Sequence, residues 1–277
     1  MPASPDTRLQ DLLASFPSVL VGYSGGVDST LLAVFARRVL GRERVLAVIG
    51  TSASLPGAQL DVAREIAARL DVSFEETATG ELDDPDYVAN RPNRCYFCKR
   101  ELWGRLSAVA RERGIAVVAD GTNADDLGGH RPGLAAAREY GIRSPLAEAG
   151  LTKPDVRSLA RSLAIPVWDT PAAPCLSSRI LYGLEVTPAR LSQVERGEAI
   201  LREAGVRGDL RVRHRGDEAR IETAPTEFER VRLQRREIGR RLLDLGFSRV
   251  TLDLLGYRRG SLLAGEQPPL EVLAART

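Results

Sequence analysis

Three groups of residues in the 277-residue sequence have the types and spacing to do chemistry. The first is Ser24-Gly25-Gly26-Val27-Asp28-Ser29, set between an apolar run and a helical segment. Glycines there let backbone N–H groups turn inward, the two serines add hydroxyl donors, and the following helix N-terminus adds positive partial charge. The hexapeptide therefore reads as an anion site rather than a plain strand-to-helix turn. It has neither the Gly-x-x-x-x-Gly-Lys-Ser/Thr of the kinase-type loop nor the dinucleotide fingerprint. The second group is the cysteines: Cys95 and Cys98 in Arg94-Cys95-Tyr96-Phe97-Cys98-Lys99, and Cys175 in the polar stretch Pro174-Cys175-Leu176-Ser177-Ser178-Arg179. A C-x-x-C pair can be redox-active, supply half a zinc site, or give two ligands of an iron–sulfur cluster. Zinc takes four ligands, and only Cys175, His130 and His214 stand beside the pair. The third group is Arg211 and Arg213, whose alternation points both to one sheet face and suits a phosphate clamp. All but two of the 39 basic residues are arginine, Lys99 and Lys153 being the exceptions, so a solvated strand face is the competing reading.

These residues need a scaffold, and the pattern from Ser18 to about Pro166 alternates β-branched runs with helical segments. Val19 to Tyr23 reads as a buried strand, Asp28 to Leu40 as a helix, Val45 to Ile49 as a strand, and Ala58 to Leu70 as a helix with apolar residues at spacing four. Val72 to Thr77, Lys99 to Glu112 and Ile115 to Ala119 are expected as strand, helix and strand. This alternation implies a parallel sheet covered on both faces, with ligands beyond the carboxyl ends of its strands. The expected organisation is a first α/β domain over 1–168, a cysteine-bearing linker or loop over 169–186, and a smaller α+β domain over 187–277. In that last part, Thr187-Pro188 opens a helix to about Ala204, Leu210–His214 and Ala219–Glu222 form a hairpin, Pro225 to Leu245 is one long charged helix, and Val250–Leu255 is the last strand.

Composition bounds the rest. Lysine and arginine total 39 against 37 acids, and a net charge of +2 excludes an overall polycation that coats nucleic acid. The longest apolar runs, such as Leu31 to Ala36, fall far short of the roughly 18 residues of a spanning helix. The start, Met1-Pro2-Ala3-Ser4-Pro5-Asp6, has no basic-then-apolar signal region, so a cytoplasmic protein is expected. In that reducing compartment an odd number of cysteines favours metal binding or catalysis over disulfides.

Ser-Gly-Gly-Val-Asp-Ser resembles the PP-loop signature of the ATP-pyrophosphatase superfamily, whose members cleave ATP between the α and β phosphates and adenylate an oxygen before a nucleophile displaces AMP. By that resemblance Ser24, Gly25, Gly26 and Ser29 would hold the pyrophosphate, Asp28 would position phosphate, Mg²⁺ or acceptor, and Gly121 and Thr122 of Asp120-Gly121-Thr122-Asn123 would contact the nucleotide. The implied fold is a PP-loop, adenine nucleotide α hydrolase-like domain. Arg94-Cys95-Tyr96-x-Cys98-Lys99, Pro174-Cys175-Leu176-x-Ser178-Arg179-Ile180 with Tyr182-Gly183, and Arg211-Val212-Arg213 before Ala219-Arg220-Ile221-Glu222 extend the resemblance over nearly the whole chain to the LarE sulfur insertion enzymes. The resemblance implies adenylation of pyridinium-3,5-biscarboxylic acid mononucleotide and its conversion to thiocarboxylates, on the way to the nickel-pincer nucleotide of lactate racemase. It implies a [4Fe–4S] cluster on Cys95, Cys98 and Cys175, with one iron left open for a transferable sulfide, and catalytic roles for those cysteines and Asp28. Ser178, Arg179, Glu198, Arg211, Arg213, Glu222 and Arg258 would contact the substrate. Implied partners are sulfide or cluster suppliers, a downstream nickel-insertion protein, and further copies of the chain in trimers or hexamers.

Other readings stay open. Cys175 could instead surrender its own sulfur, as in the single-cysteine class of the family. A cluster-dependent tRNA thiolase of the same superfamily would lead one to expect a more basic chain or an appended RNA-binding module, and usually carries Lys where this loop has Val27. Amidating relatives such as NAD synthetase do not need three cysteines, and a non-catalytic iron–sulfur or zinc protein would not need the loop. Residues 207 to 241 hold eleven Arg and seven acids, an excess that suits a phosphate site, a subunit interface or surface charge pairs.

Overall fold

The computed structural model describes residues 4–128, 132–171, 174–258 and 268–276. In chain order the elements are α1 Pro5–Ala14, β1 Val19–Gly22, α2 Val27–Leu40, β2 Val45–Thr51, α3 Gly57–Arg69, β3 Phe74–Ala78, α4 Pro85–Val88, α5 Arg94–Glu112, β4 Val117–Ala119, α6 Pro132–Glu139, α7 Pro145–Glu148 and α8 Lys153–Ser162. They continue as α9 Pro188–Glu203, β5 Leu210–Arg215, β6 Glu218–Thr223, α10 Phe228–Leu233, α11 Arg235–Asp244, β7 Arg249–Asp253 and β8 Leu270–Ala275. By internal contacts the chain divides into two units, one of Met1–Asp84 with Asn93–Pro174 and one of Pro85–Pro92 with Cys175–Thr277.

The first unit is built on a four-stranded parallel sheet in the order β3-β2-β1-β4. Val19, Leu20 and Val21 of β1 are all solvent-inaccessible, as an apolar run without alternation requires when both faces of a strand are covered. One face packs under α1, α2 and α8, which contribute Leu9, Leu13, Leu31, Leu32, Val156 and Ala160. The other packs under α5 and α6 through Trp103, Leu106, Ala110 and Ala136. The parallel α/β domain expected from the alternation is thus present. Helix α5 starts at Arg94, five residues ahead of the expected Lys99, so both Cys95 and Cys98 are helical.

In the second unit four strands run in the order β5-β6-β7-β8, with β6 and β7 parallel and the outer pairs antiparallel. The expected hairpin forms, turning at Gly216 (φ 83°) and Asp217, with glycine at the first turn position where positive φ is needed. Val212, Ile221, Val250 and Leu252 pack with Leu201 of α9 and Ile238 and Leu242 of α11. The single long helix expected over Pro225–Leu245 is a 3₁₀ turn followed by α10 and α11. The break falls at Gln234 (φ −105°, ψ 13°), whose Nε2 donates to the Ala204 carbonyl at 2.7 Å. That bond satisfies an acceptor at the end of α9 and turns α11 onto the sheet.

Candidate functional site

In the first unit the hexapeptide joins the carboxyl end of β1 to α2, and Gly25 has φ 71°, the left-handed conformation that glycine adopts without penalty. Gly26 is the N-cap of α2 and brings no side-chain cap to the first helical turn. The loop is closed by its serines: the Ser24 amide donates to Ser29 Oγ at 3.1 Å, the two hydroxyls are 3.1 Å apart, and Ser29 Oγ donates to the Gly26 carbonyl at 3.3 Å. Gln59 of α3 braces it from outside, Nε2 donating to the Ser24 carbonyl at 2.9 Å. This is a preorganised cradle of hydroxyls and amide groups at a helix N-terminus, suited to an anion.

Asp28 is engaged at both oxygens. Lys153 Nζ donates to Oδ2 at 2.5 Å, and Asn123 Nδ2 donates to Oδ1 at 3.0 Å. The segment after β4 is brought in by Gly121, where a Cβ would stand 2.7 Å from the Ser29 nitrogen. Asp120 holds that segment, accepting from the Thr122 amide at 3.0 Å, the Thr122 hydroxyl at 2.8 Å and the Ser144 hydroxyl at 2.8 Å. The Thr122 hydroxyl hydrogen is therefore spent on Asp120. Lys153 is the charged residue beside the loop that motif reading missed. The signals were present: it is one of only two lysines, and Thr152-Lys153-Pro154-Asp155 carries a capping-box pattern that opens α8.

None of the three cysteines is in a disulfide. Cys95 is exposed and Cys98 half-buried, one turn apart at the start of α5 and so on one helix face. Cys175 belongs to the second unit, at the N-cap of the 3₁₀ turn Leu176–Arg179, with Sγ 3.0 Å from Ser177 Oγ. Among the described residues no three His, Cys, Asp or Glu side chains gather as a ready metal-ligating group. His130 lies outside the described residues. His214 is buried on the apolar face of β5 against Phe247, with Nε2 2.9 Å from Gln193 Oε1, so it serves the core.

The opposite faces of β5 and β6 carry Arg211, Arg213, Arg220 and Glu222, all at most 8 % exposed, which overturns the competing reading of a solvated strand. Arg213 Nε donates to Glu222 at 2.8 Å and its Nη1 to the Ser178 carbonyl at 2.9 Å. Arg179 makes a two-pronged pair with Glu198 (2.9 and 3.2 Å), and the Cys175 carbonyl accepts from Arg179 and from the Ser178 hydroxyl. Arg258 donates to the Gly256 carbonyl at 2.9 Å and lies 3.4 Å from Asp253. Arg211 differs: it donates to the Leu210 carbonyl and stacks 5.0 Å from the Tyr257 ring, with no carboxylate among the described residues in salt-bridge distance. Burial, then the charge of Arg179, lowers its pKa. A buried guanidinium in that state calls for an anion. Sequence reading grouped these residues, and the structure brings Ser178, Arg179, Glu198, Arg211, Arg213 and Glu222 together around the Cys175 turn.

Residues 9–94 match the NAD synthase family model. The chain is 43 % identical to an uncharacterised protein of Synechocystis over 92 % of this chain and 95 % of that one. It is 36 % identical to the pyridinium-3,5-bisthiocarboxylic acid mononucleotide synthase of Lactiplantibacillus plantarum over 94 % of each, and 30 % identical to an uncharacterised protein of Methanocaldococcus jannaschii over 87 % of this chain and 90 % of that one. With a serine-glycine anion loop on a parallel sheet and a match of that extent, the chain belongs to the LarE family of the PP-loop ATP pyrophosphatases.

Proposed function

We propose that the protein is an ATP-dependent sulfurtransferase that adenylates the carboxylates of pyridinium-3,5-biscarboxylic acid mononucleotide and converts them to thiocarboxylates. The observation that carries this reading is the match over 94 % of the chain to a synthase named for that product. The loop geometry supports it from below. The amide and hydroxyl groups of Ser24, Gly25, Gly26 and Ser29 would hold the departing pyrophosphate, with Gly121 and Thr122 beside the nucleotide. Asp28 would hold Mg²⁺ once a cation takes the place of Lys153 on its carboxylate. A substrate carboxylate oxygen then attacks the α-phosphorus, the α–β bridging bond breaks, and pyrophosphate leaves. The acyl adenylate so formed loses AMP when sulfur attacks its carbonyl carbon. Arg211, which lacks a carboxylate partner among the described residues, would take the substrate phosphate, with Arg213 and Arg179 held in place by Glu222 and Glu198.

Three cysteines are one ligand short of a closed four-ligand zinc site and would leave one iron of a cluster open, which supports the cluster over zinc, although among the described residues the three side chains do not gather as a ready metal-ligating group. Cys95, Cys98 and Cys175 would hold such a [4Fe–4S] cluster, and when bound it supplies the transferable sulfide. The same reading includes suppliers of that sulfide, a nickel-insertion protein that takes the product, assembly of the chain as trimers or hexamers, and a cytoplasmic location. No described helix is long and apolar enough to cross a membrane.

The test is anaerobic incubation with ATP and either the pyridinium biscarboxylate mononucleotide or tRNA, following pyrophosphate, thiocarboxylate and protein mass. The expected result is pyrophosphate release with the mononucleotide and more than one sulfur transferred per chain at constant protein mass. Release with tRNA alone overturns the substrate. One transfer per chain with loss of sulfur from Cys175 overturns the cluster as donor.

A further inference from the structure

We propose that Tyr257 is the positioning residue for the anion-binding edge of Arg211, both within the second unit. This rests on the reading of Arg211 as the residue that takes the substrate phosphate, and it adds what holds that side chain ready. Arg211 is 8 % exposed. Of the five N–H donors of a guanidinium, one on Nη1 is used, by the Leu210 carbonyl at 2.5 Å, and the others meet no acceptor among the described residues. A long side chain with one hydrogen bond keeps much of its rotamer freedom. Here one face of it is also taken, because the guanidinium carbon lies over the Tyr257 ring, 5.0 Å from the centroid. A ring against that face restricts the tilt of the plane, while the in-plane N–H edge, the part that forks onto a phosphate, is left without an acceptor.

Backbone contacts set the ring in place. Leu210 and Thr223 face each other across β5 and β6, so the end of β6 lies beside Arg211. There the Thr223 carbonyl accepts from the Tyr257 amide at 3.0 Å. Gly256 makes the approach possible: it has φ 72°, and a Cβ on it would stand 2.7 Å from the same carbonyl oxygen. The turn leading to it closes on Asp253 at the end of β7, whose carbonyl accepts from the Gly256 amide at 3.1 Å and whose carboxylate accepts from the Leu255 amide at 2.9 Å. The Arg211 guanidinium is thus held between a carbonyl of its own strand and a ring anchored to the neighbouring one. Neither contact carries a full negative charge, so the counter-charge is left to a ligand.

The test is a double-mutant cycle on the full chain, read by calorimetry as binding of the pyridinium biscarboxylate mononucleotide without ATP. Tyr257→Phe keeps the ring and is expected to bind as the wild type does. Tyr257→Leu removes the ring and is expected to bind roughly tenfold more weakly. In an Arg211→Met background the same Leu substitution is expected to change nothing further, since the ring acts only through the guanidinium. The dephosphorylated nucleoside gives a second readout, and its affinity is expected to be equal in wild type and Tyr257→Leu. Additive losses in the cycle, wild-type affinity in Tyr257→Leu, or the same loss with the nucleoside each overturn the proposal, the last because the ring would then touch the pyridinium or merely shape the fold. Tyr257→Met, also without a ring, replaces the Leu variant if urea unfolding shows that one to be unfolded. If the wild type binds no mononucleotide, the substrate reading fails and the cycle is run with inorganic phosphate: coupling between Tyr257 and Arg211 then upholds the positioning role, and its absence overturns it.

Discussion

Lys153 and Asp28 form an ion pair at 2.5 Å, yet their side chains are 35 % and 25 % exposed. A pair this wet contributes at most about 1 kcal/mol to stability, so its place against the loop asks for another purpose. On the proposed function the ammonium stands where the triphosphate would arrive, paired with the carboxylate that a divalent cation would claim. With such a cation bound, Lys153 would be left to face negative charge on the phosphates. Lys153→Met is therefore expected to slow pyrophosphate release by roughly 10²-fold while shifting the urea unfolding free energy by less than about 1 kcal/mol. Arginine at this position is not expected to restore the rate, because a planar fork cannot replace a point charge held in this geometry. An unchanged rate in Lys153→Met would remove the residue from the chemistry.

At the scale of elements, the close approach of the β4 loop to α2 decides whether the cradle has a floor. Gly121→Ala would place a methyl 2.7 Å from the Ser29 nitrogen and about 3.0 Å from the backbone of Asp28 and Ser29, atoms that cannot swing aside. The variant is expected to lose roughly 1–3 kcal/mol of stability and to bind ATP measurably more weakly by calorimetry; wild-type ATP affinity would show that the approach is not needed. This floor was legible as a motif, Asp120-Gly121-Thr122-Asn123, but not its mechanics, since nothing local announces that Ser144 will clamp Asp120. The parallel strands were legible because β1 and β2 are continuous apolar runs, and the hairpin because Gly216 sits where its turn needs positive φ. The start of α5 was not, because Asn93-Arg94-Cys95 offers no side-chain cap and its apolar residues begin further on. The break at Gln234 also escaped reading, since periodicity continues across it and only the distant Ala204 carbonyl gives Gln234 reason to leave the helix.

The whole chain is nearly neutral, and its local arginine excess proves to be partly internal. Arg211, Arg213 and Arg220 occupy a buried strand face with Glu218 and Glu222 as neighbours, so composition alone could not separate a phosphate pocket from a solvated patch. The other face of the same strand holds a different titratable group. Gln193 Nε2 donates to the Leu245 carbonyl, which turns its Oε1 toward His214 and makes Nε2 of the ring the protonated nitrogen, while Nδ1 is buried with no partner among the described residues. Burial, assisted by the charge of Arg190, lowers the His214 pKa from 6.5 to about 4. Below pH 6.5 the unfolded chain gains a proton that the folded chain refuses until about pH 4, so this contribution to stability is complete above pH 6.5 and is lost as the pH falls toward 4. Between pH 7 and pH 5 the loss amounts to about 2 kcal/mol. His214→Gln removes the titration, so the difference in urea unfolding free energy between wild type and variant should shrink or reverse by about that amount over this interval. Carboxylates elsewhere titrate in both proteins and cancel in the comparison. Parallel pH profiles for the two would mean that a protonated His214 is accommodated in the folded second unit, through movement of Gln193 or entry of water beside Nδ1.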